Sequence, residues 1–307
     1  MFTLLTALDK GYKINDGFNA PGGYRAPGYS SFKDCKGGTR GDPIHTITND
    51  EGDAGFLTLR TGTEQSVNTF FMMLEQRVGL CDVVTTAKAL GIKRSDGLPL
   101  QEVETFTLGV NEMDPVTVAT AYAAIAARGK YCAPMAVTSI TDREGKTTTY
   151  KPKCRQAIDE GVADAATDIL SGVFTRGTMS EVGPIGRPAA SKTGTADNSY
   201  TAWFAGFTPD LAGAVSLGDP RGPIDHPLGG DHWRPGLLHG LRSRHLWADL
   251  EGHHARRAEG HQEDPFHPVD SSRFGGCNSC APQKPERDKV DAEGVDLGDA
   301  PGQGDGF

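Results

Sequence analysis

Eight of the nine histidines fall between His226 and His267, and only His45 precedes them. The same segment is dense in arginine (Arg234, Arg242, Arg244, Arg256, Arg257), and no apolar period of 3.6 or 2.0 residues runs through it. Such a stretch offers neither a helix face nor a half-buried strand. The core must therefore be built from residues 1–220. Residues 221–264 keep three readings: an ordinary polar insert, a metal-binding His tract, or translation of a GC-rich gene in the wrong frame. The metal reading lacks Cys partners and any His pair at i, i+4 beside an acid. From 265 to 307 the chain is rich in Gly, Pro, Asp and Lys, and reads as a disordered tail.

The net charge of −9 excludes the basic surface expected of a nucleic-acid-binding protein. No run of about 18 apolar residues occurs, so no membrane span lies in this sequence. Met1 to Leu5 also lacks the basic and apolar regions of a signal peptide. The six cysteines are too few and too scattered for a disulfide scaffold. Cys132 and Cys154 flank an expected hairpin and are either a disulfide or two free thiols. Cys277-x-x-Cys280 has no second pair and reads as neither a redox motif nor a zinc site.

Within 1–220 the pattern predicts a helix over residues 2–9, leaving through Gly11, then loops and short strands to about residue 55. Helices follow over 57–65 and 69–78, separated by a turn at 66–68. A third helix is capped by Asp82 and ends at Gly91. Asp114-Pro115 is the clearest helix start, an acidic cap followed by proline at the first helical position. A hairpin is expected around Asp142–Gly145, and a further helix over 164–174. Strands are predicted over 190–195, 202–208 and 211–217. Helices followed by a closing meander make an α+β fold, a mainly antiparallel sheet packed with helices beside an all-α region.

Two short segments could carry chemistry. Ser191-Lys192-Thr193-Gly194-Thr195 puts an amine and two hydroxyls on one strand. Gly194 lets backbone approach a ligand. That combination suits a carboxylate held beside a reacting carbonyl. Taken alone, Lys192 is equally an exposed strand residue. Ser66-Val67-Asn68 is uninformative alone, and Ser66 there reads as a helix cap.

Together, these segments match the set of short motifs of penicillin-binding proteins and class A β-lactamases. The chain resembles the transpeptidase domain of a penicillin-binding protein of the bifunctional class A type. The resemblance runs through Gln65–Thr69, Leu108–Glu112, Ala190–Thr195 and Ala202–Phe207, in order and spacing, over residues 1–220. It implies a β-lactamase/transpeptidase-like fold with its cleft between the all-α region and the sheet. The implied activity is cross-linking of peptidoglycan stem peptides ending in D-Ala-D-Ala through a serine acyl-enzyme, with β-lactams as acylating mimics. No cofactor or metal is called for. The implied location is the outer face of the bacterial cell membrane, anchored by a segment upstream of this sequence.

The same resemblance implies roles. Ser66 relays a proton between Lys192 and the leaving amine, and Lys192 keeps the site positive. Asn68 binds the substrate amide. Thr193 and Thr195 take the terminal carboxylate beside Gly194, and the Thr195 N–H is an oxyanion donor. One departure stands out. The family's nucleophilic Ser and its Lys, a Ser-x-x-Lys pair, precede a pattern like Phe2–Leu8, which places Met1 just after that Lys. Ser30-Ser31-Phe32-Lys33 has the literal spacing, but Asp34–Gly38 cannot continue a helix behind it. The expectation is an inactive domain that lacks its nucleophile. A β-lactamase or D-Ala-D-Ala carboxypeptidase relative and a non-catalytic binding module are the alternatives. Family-like texture resumes after residue 264, through Phe266, Val269 and Phe274, as two compensating frame slips would produce.

Overall fold

The structure is a computed structural model, and it describes residues 1–49, 53–196, 201–218 and 265–280. The 221–264 segment, with its three readings, lies outside the described residues, as do 281–307. Among the described residues the helices are α1 (Phe2–Asp9), α2 (Leu59–Glu64), α3 (Asn68–Val78), α4 (Leu80–Ala89), α5 (Pro115–Ala126), α6 (Glu160–Ser171), α7 (Val173–Arg176) and α8 (Ser271–Phe274). Short antiparallel pairs join β1 (Gly17–Ala20) to β4 (Gly55–Thr58) and β2 (Gly23–Tyr24) to β3 (Ile47–Thr48). Two more join β5 (Lys130–Cys132) to β8 (Cys154–Gln156) and β6 (Ser139–Thr141) to β7 (Thr147–Thr149). The larger sheet holds β9 (Ala190–Thr195), β10 (Thr201–Phe207) and β11 (Ala212–Gly218) in the order β11-β10-β9, all antiparallel.

Helix α1 sits at the centre. Leu4, Leu5, Ala7 and Leu8 have no exposed surface, and Thr3 and Thr6 are buried with them. A helix buried all round must satisfy its polar side chains internally. Thr6 Oγ1 donates to Phe2 O at 2.9 Å, and Thr3 Oγ1 lies 2.6 Å from Thr107 Oγ1. Around α1 pack α3, α4 and α6, while α5 lies across β10 and β11 and α6 backs β9. A smaller apolar cluster of Val173, Phe174, Met179, Ala189, Ala202 and Phe204 covers the opposite sheet face near α7. This is the α+β architecture that the sequence predicts.

Several element ends differ from expectation for local reasons. Leu57 belongs to β4, where it pairs with Phe18, so α2 starts two residues late. Its start is set by Thr58, whose hydroxyl accepts from the Thr61 N–H in a reciprocal capping box. Helix α4 begins at Leu80 behind Gly79, whose φ of 94° suits glycine. Asp82 therefore lies inside the first turn and pairs with Lys10 instead of capping. Asp159 caps α6 through the Val162 N–H, so the helix starts at Glu160, four residues ahead of the expected start. Asp114 caps α5 through the Thr117 N–H at 2.8 Å, with Pro115 at the first position, as read from sequence.

The cysteines require a correction. All six are paired, as Cys35–Cys81, Cys132–Cys154 and Cys277–Cys280. The first pair ties the long loop after β2 to α4, a contact that no local spacing announces. The second closes the base of the hairpin. The third makes Cys277-x-x-Cys280 an oxidised pair, where no role was expected of it. The first part of the tail is corrected as well, since residues 265–280 fold back onto the body. Phe274 is buried in the main core, and Phe266 packs its ring on Phe207 at 5.6 Å. Buried Asp16 accepts from the backbone N–H groups of Asn278 and Ser279 and, at 2.8 Å, of Lys13.

Candidate active site

A cavity of about 200 Å³ opens between the start of α3, the edge strand β9, the start of α1 and the turn at residues 106–109. Ser66, Asn68, Lys192, Thr193, Gly194 and Thr195 all line it. The structure thus brings together every site residue singled out in the sequence.

Ser66 occupies the turn between α2 and α3 with φ 60°, a left-handed conformation unusual for serine. It does not cap α3: that position is Val67, which makes no side-chain cap bond. Instead Ser66 Oγ accepts from Lys192 Nζ at 2.5 Å across the cavity. The amine also donates to Thr193 O at 2.9 Å. Burial pushes Lys192 down to about 8. It is therefore a cation that can give up its proton near neutral pH.

Strand β9 exposes its other polar groups by its place at the sheet edge. The Ala196 N–H bonds to Thr201 O on β10. Ladder alternation then turns the N–H groups of Thr195 and Thr193 away from β10, toward the free edge. Asn68, the first residue of α3, donates its Nδ2 to Thr48 O at 3.0 Å. That bond fixes the carboxamide and leaves its oxygen to accept from a ligand.

Sequence reasoning missed the apolar end of the cavity. Phe2, Phe71, Ile92, Phe106, Leu108 and Met113 form it, and although Phe2 and Leu108 lie in family-like segments, no local pattern gives any of them a site role. Beneath it Glu75 is fully buried on α3, and its Oε2 accepts from the Thr107 N–H at 3.2 Å. Burial pushes this carboxyl well above the usual range, which keeps it neutral. Ser30 and Lys33 do not line this cavity. They are exposed around a 3₁₀ turn (Tyr29–Ser31), and Ser31 Oγ donates to Gly28 O.

A lysine and a serine thus face each other across a cleft between helices and an antiparallel sheet. Residues 1–222 match the family model for the penicillin binding protein transpeptidase domain, and the chain belongs to that family. It is similar to penicillin-binding protein 1A of Rickettsia bellii, 32% identical over 236 residues, which cover 68% of this chain and 28% of that protein. The penicillin-binding protein 1A of Aquifex aeolicus is 30% identical over 170 residues, covering 55% and 23%. The chain thus spans about a quarter of the length of these relatives. Among solved structures, the penicillin-binding protein PonA1 from Mycobacterium tuberculosis superimposes with a TM-score of 0.65 at 25% identity, covering 92% of this chain and 73% of that one.

Proposed function

We propose that the cavity between α3 and β9 binds peptides ending in D-Ala-D-Ala, and β-lactams in their place, as the acyl-donor cleft of a serine D,D-transpeptidase. The observation that carries this reading is the 2.5 Å contact between Lys192 Nζ and Ser66 Oγ, flanked by Asn68, Thr193 and Thr195 in one cavity. A ligand carboxylate is neutralised by the Lys192 charge and accepts from the Thr193 and Thr195 hydroxyls. The Asn68 carboxamide oxygen accepts the peptide N–H. The Thr195 N–H, free of the ladder, stabilises oxygen charge that develops on the carbonyl. Where the family's nucleophilic serine is supplied and attacks the carbonyl, Ser66 would accept from the Lys192 ammonium and give its own proton to the leaving amine, a relay within hydrogen-bond reach.

The family supplies its nucleophile from a Ser-x-x-Lys pair, and no such pair of this sequence stands at the cavity among the described residues. The polypeptide of residues 1–307 therefore binds these ligands without forming a stable acyl adduct. A solved relative, the PonA1 protein of Mycobacterium tuberculosis, is described in complex with penicillin V. Cross-linking of stem peptides belongs to the wider protein to which such a domain contributes. The three disulfides support a location on the outer side of the cell membrane, where thiols oxidise. No helix among the described residues is long and apolar enough to cross that membrane.

The test uses fluorescent penicillin on the purified chain. Saturable binding by fluorescence anisotropy, weakened more than tenfold in Lys192→Ala, and no band on a denaturing gel are the expected results. A covalent band mapped to any serine of the chain overturns the non-acylating part, and absence of saturable binding overturns the whole reading.

A further inference from the structure

Ser66 and Lys192 are 126 residues apart in sequence, and their contact needs something to hold the end of α2 against β9. The structure contains such a device beside the cavity. Glu64, the last residue of α2, is buried two positions before Ser66. Its carboxylate accepts from Arg176 Nε at 3.1 Å and from Arg176 Nη2 at 2.5 Å. Arg60 Nη1 stands 3.6 Å away on the same helix. The Glu64 carbonyl accepts from the Thr178 N–H at 3.1 Å. Thr178 Oγ1 then lies 2.8 Å from Thr193 Oγ1, next to Lys192 on β9.

The fit around Glu64 is tight. A Cβ placed on Gly172 would stand 2.0 Å from Glu64 Oε1, and one on Gly177 would stand 2.2 Å from Glu64 O. Both positions need glycine for room, since Gly172 has φ −65° and Gly177 φ −113°, which other residues adopt freely. Chain 172–178 thus wraps the end of α2 at backbone contact. The bidentate geometry also fixes the direction of Arg176, which a single bond would not.

We propose that Glu64, Arg176 and Thr178 form a positioning clamp for the cleft. Glu64 holds the 176–178 turn to the end of α2, and the Thr178 hydroxyl carries that hold to Thr193, so that Ser66 and Lys192 meet. None of the three lines the cavity, so they act through other residues. Thr178 has a second effect on the threonine beside it. Each hydroxyl has one proton, so when Thr193 donates to an anion, Thr178 must donate to Thr193. The clamp then polarises Thr193 toward its ligand. This effect rests on the function proposed above; the geometry of the clamp does not.

The experiment follows the Lys192 amine by NMR in the full chain labelled with ¹³Cε-lysine, the signal being assigned with Lys192→Arg. Penicillin G binding is measured in parallel, and unfolding is followed by circular dichroism. Thr178→Val and Arg176→Lys are expected to draw Lys192 away from Ser66 and expose its half-buried amine further. Its titration midpoint then rises by about one unit, toward the free-lysine value, and penicillin G affinity falls about tenfold. Thr178→Ser restores both. Variants that fold with wild-type Lys192 titration overturn the clamp, even if they unfold at lower temperature. A wild-type protein that fails to bind penicillin G, while its Lys192 signal still responds to Thr178→Val, overturns the functional reading and leaves the clamp standing.

Discussion

Ser66 holds a backbone conformation that costs a non-glycine residue about 1 kcal/mol. In exchange its hydroxyl faces Lys192. Ser66→Gly is therefore expected to raise unfolding stability in urea by up to about 1 kcal/mol, while ligand affinity drops. Lys192 gives a signed pH effect. Its native value of about 8 lies below that of a free lysine, about 10.4, so the unfolded chain binds more protons between those limits. Its contribution to stability is least favourable below pH 8 and improves as pH rises toward 10.4. The slope of the urea midpoint against pH across that window should flatten in Lys192→Met. The affinity for anionic ligands runs the other way and weakens above pH 8, as the cation is lost. At this scale Lys192, Thr193 and Thr195 were legible because one strand carries them in a row, and Ser66 and Asn68 because one turn does. Glu64 and Arg176 were not, since 112 residues separate them and neither belongs to a local pattern.

Helix α5 shows how much an element owes to its first residue. Asp114 accepts from both the N–H and the hydroxyl of Thr117, and the helix that it starts supports β10 and β11. Asp114→Ala should cost about 1 kcal/mol in urea unfolding, with no change in the Lys192 titration, because β9 is backed by α6. The Cys132–Cys154 link spans 22 residues. Loop-closure entropy gives it about 3 kcal/mol, and replacing both cysteines with alanine should lower the urea midpoint accordingly. Elements were legible where capping chemistry is local, as at Asp114-Pro115. They were misplaced where pairing decides. Leu57 has the pattern of a helix residue, but Phe18, 39 positions earlier, draws it into β4.

For the whole molecule, the α+β plan could be read from the order of helices and meander, and the family from the order of its motifs. The return of residues 265–280 could not. Phe266, Val269 and Phe274 lie among polar residues with no period, and only the three-dimensional core shows where they belong. Phe274 is 1% exposed. Phe274→Ala should cost about 3–5 kcal/mol in urea unfolding, a loss that a loosely attached tail would not produce. Asp16 gives this return a consequence for biosynthesis. Its carboxylate accepts from Asn278 and Ser279, partners that leave the ribosome 262 and 263 residues after it. Until they emerge, Asp16 keeps the Lys13 N–H but lacks those donors, and residues 265–280 cannot close over the core. A nascent chain arrested before residue 278 should remain open to protease, and one released beyond residue 280 should resist it.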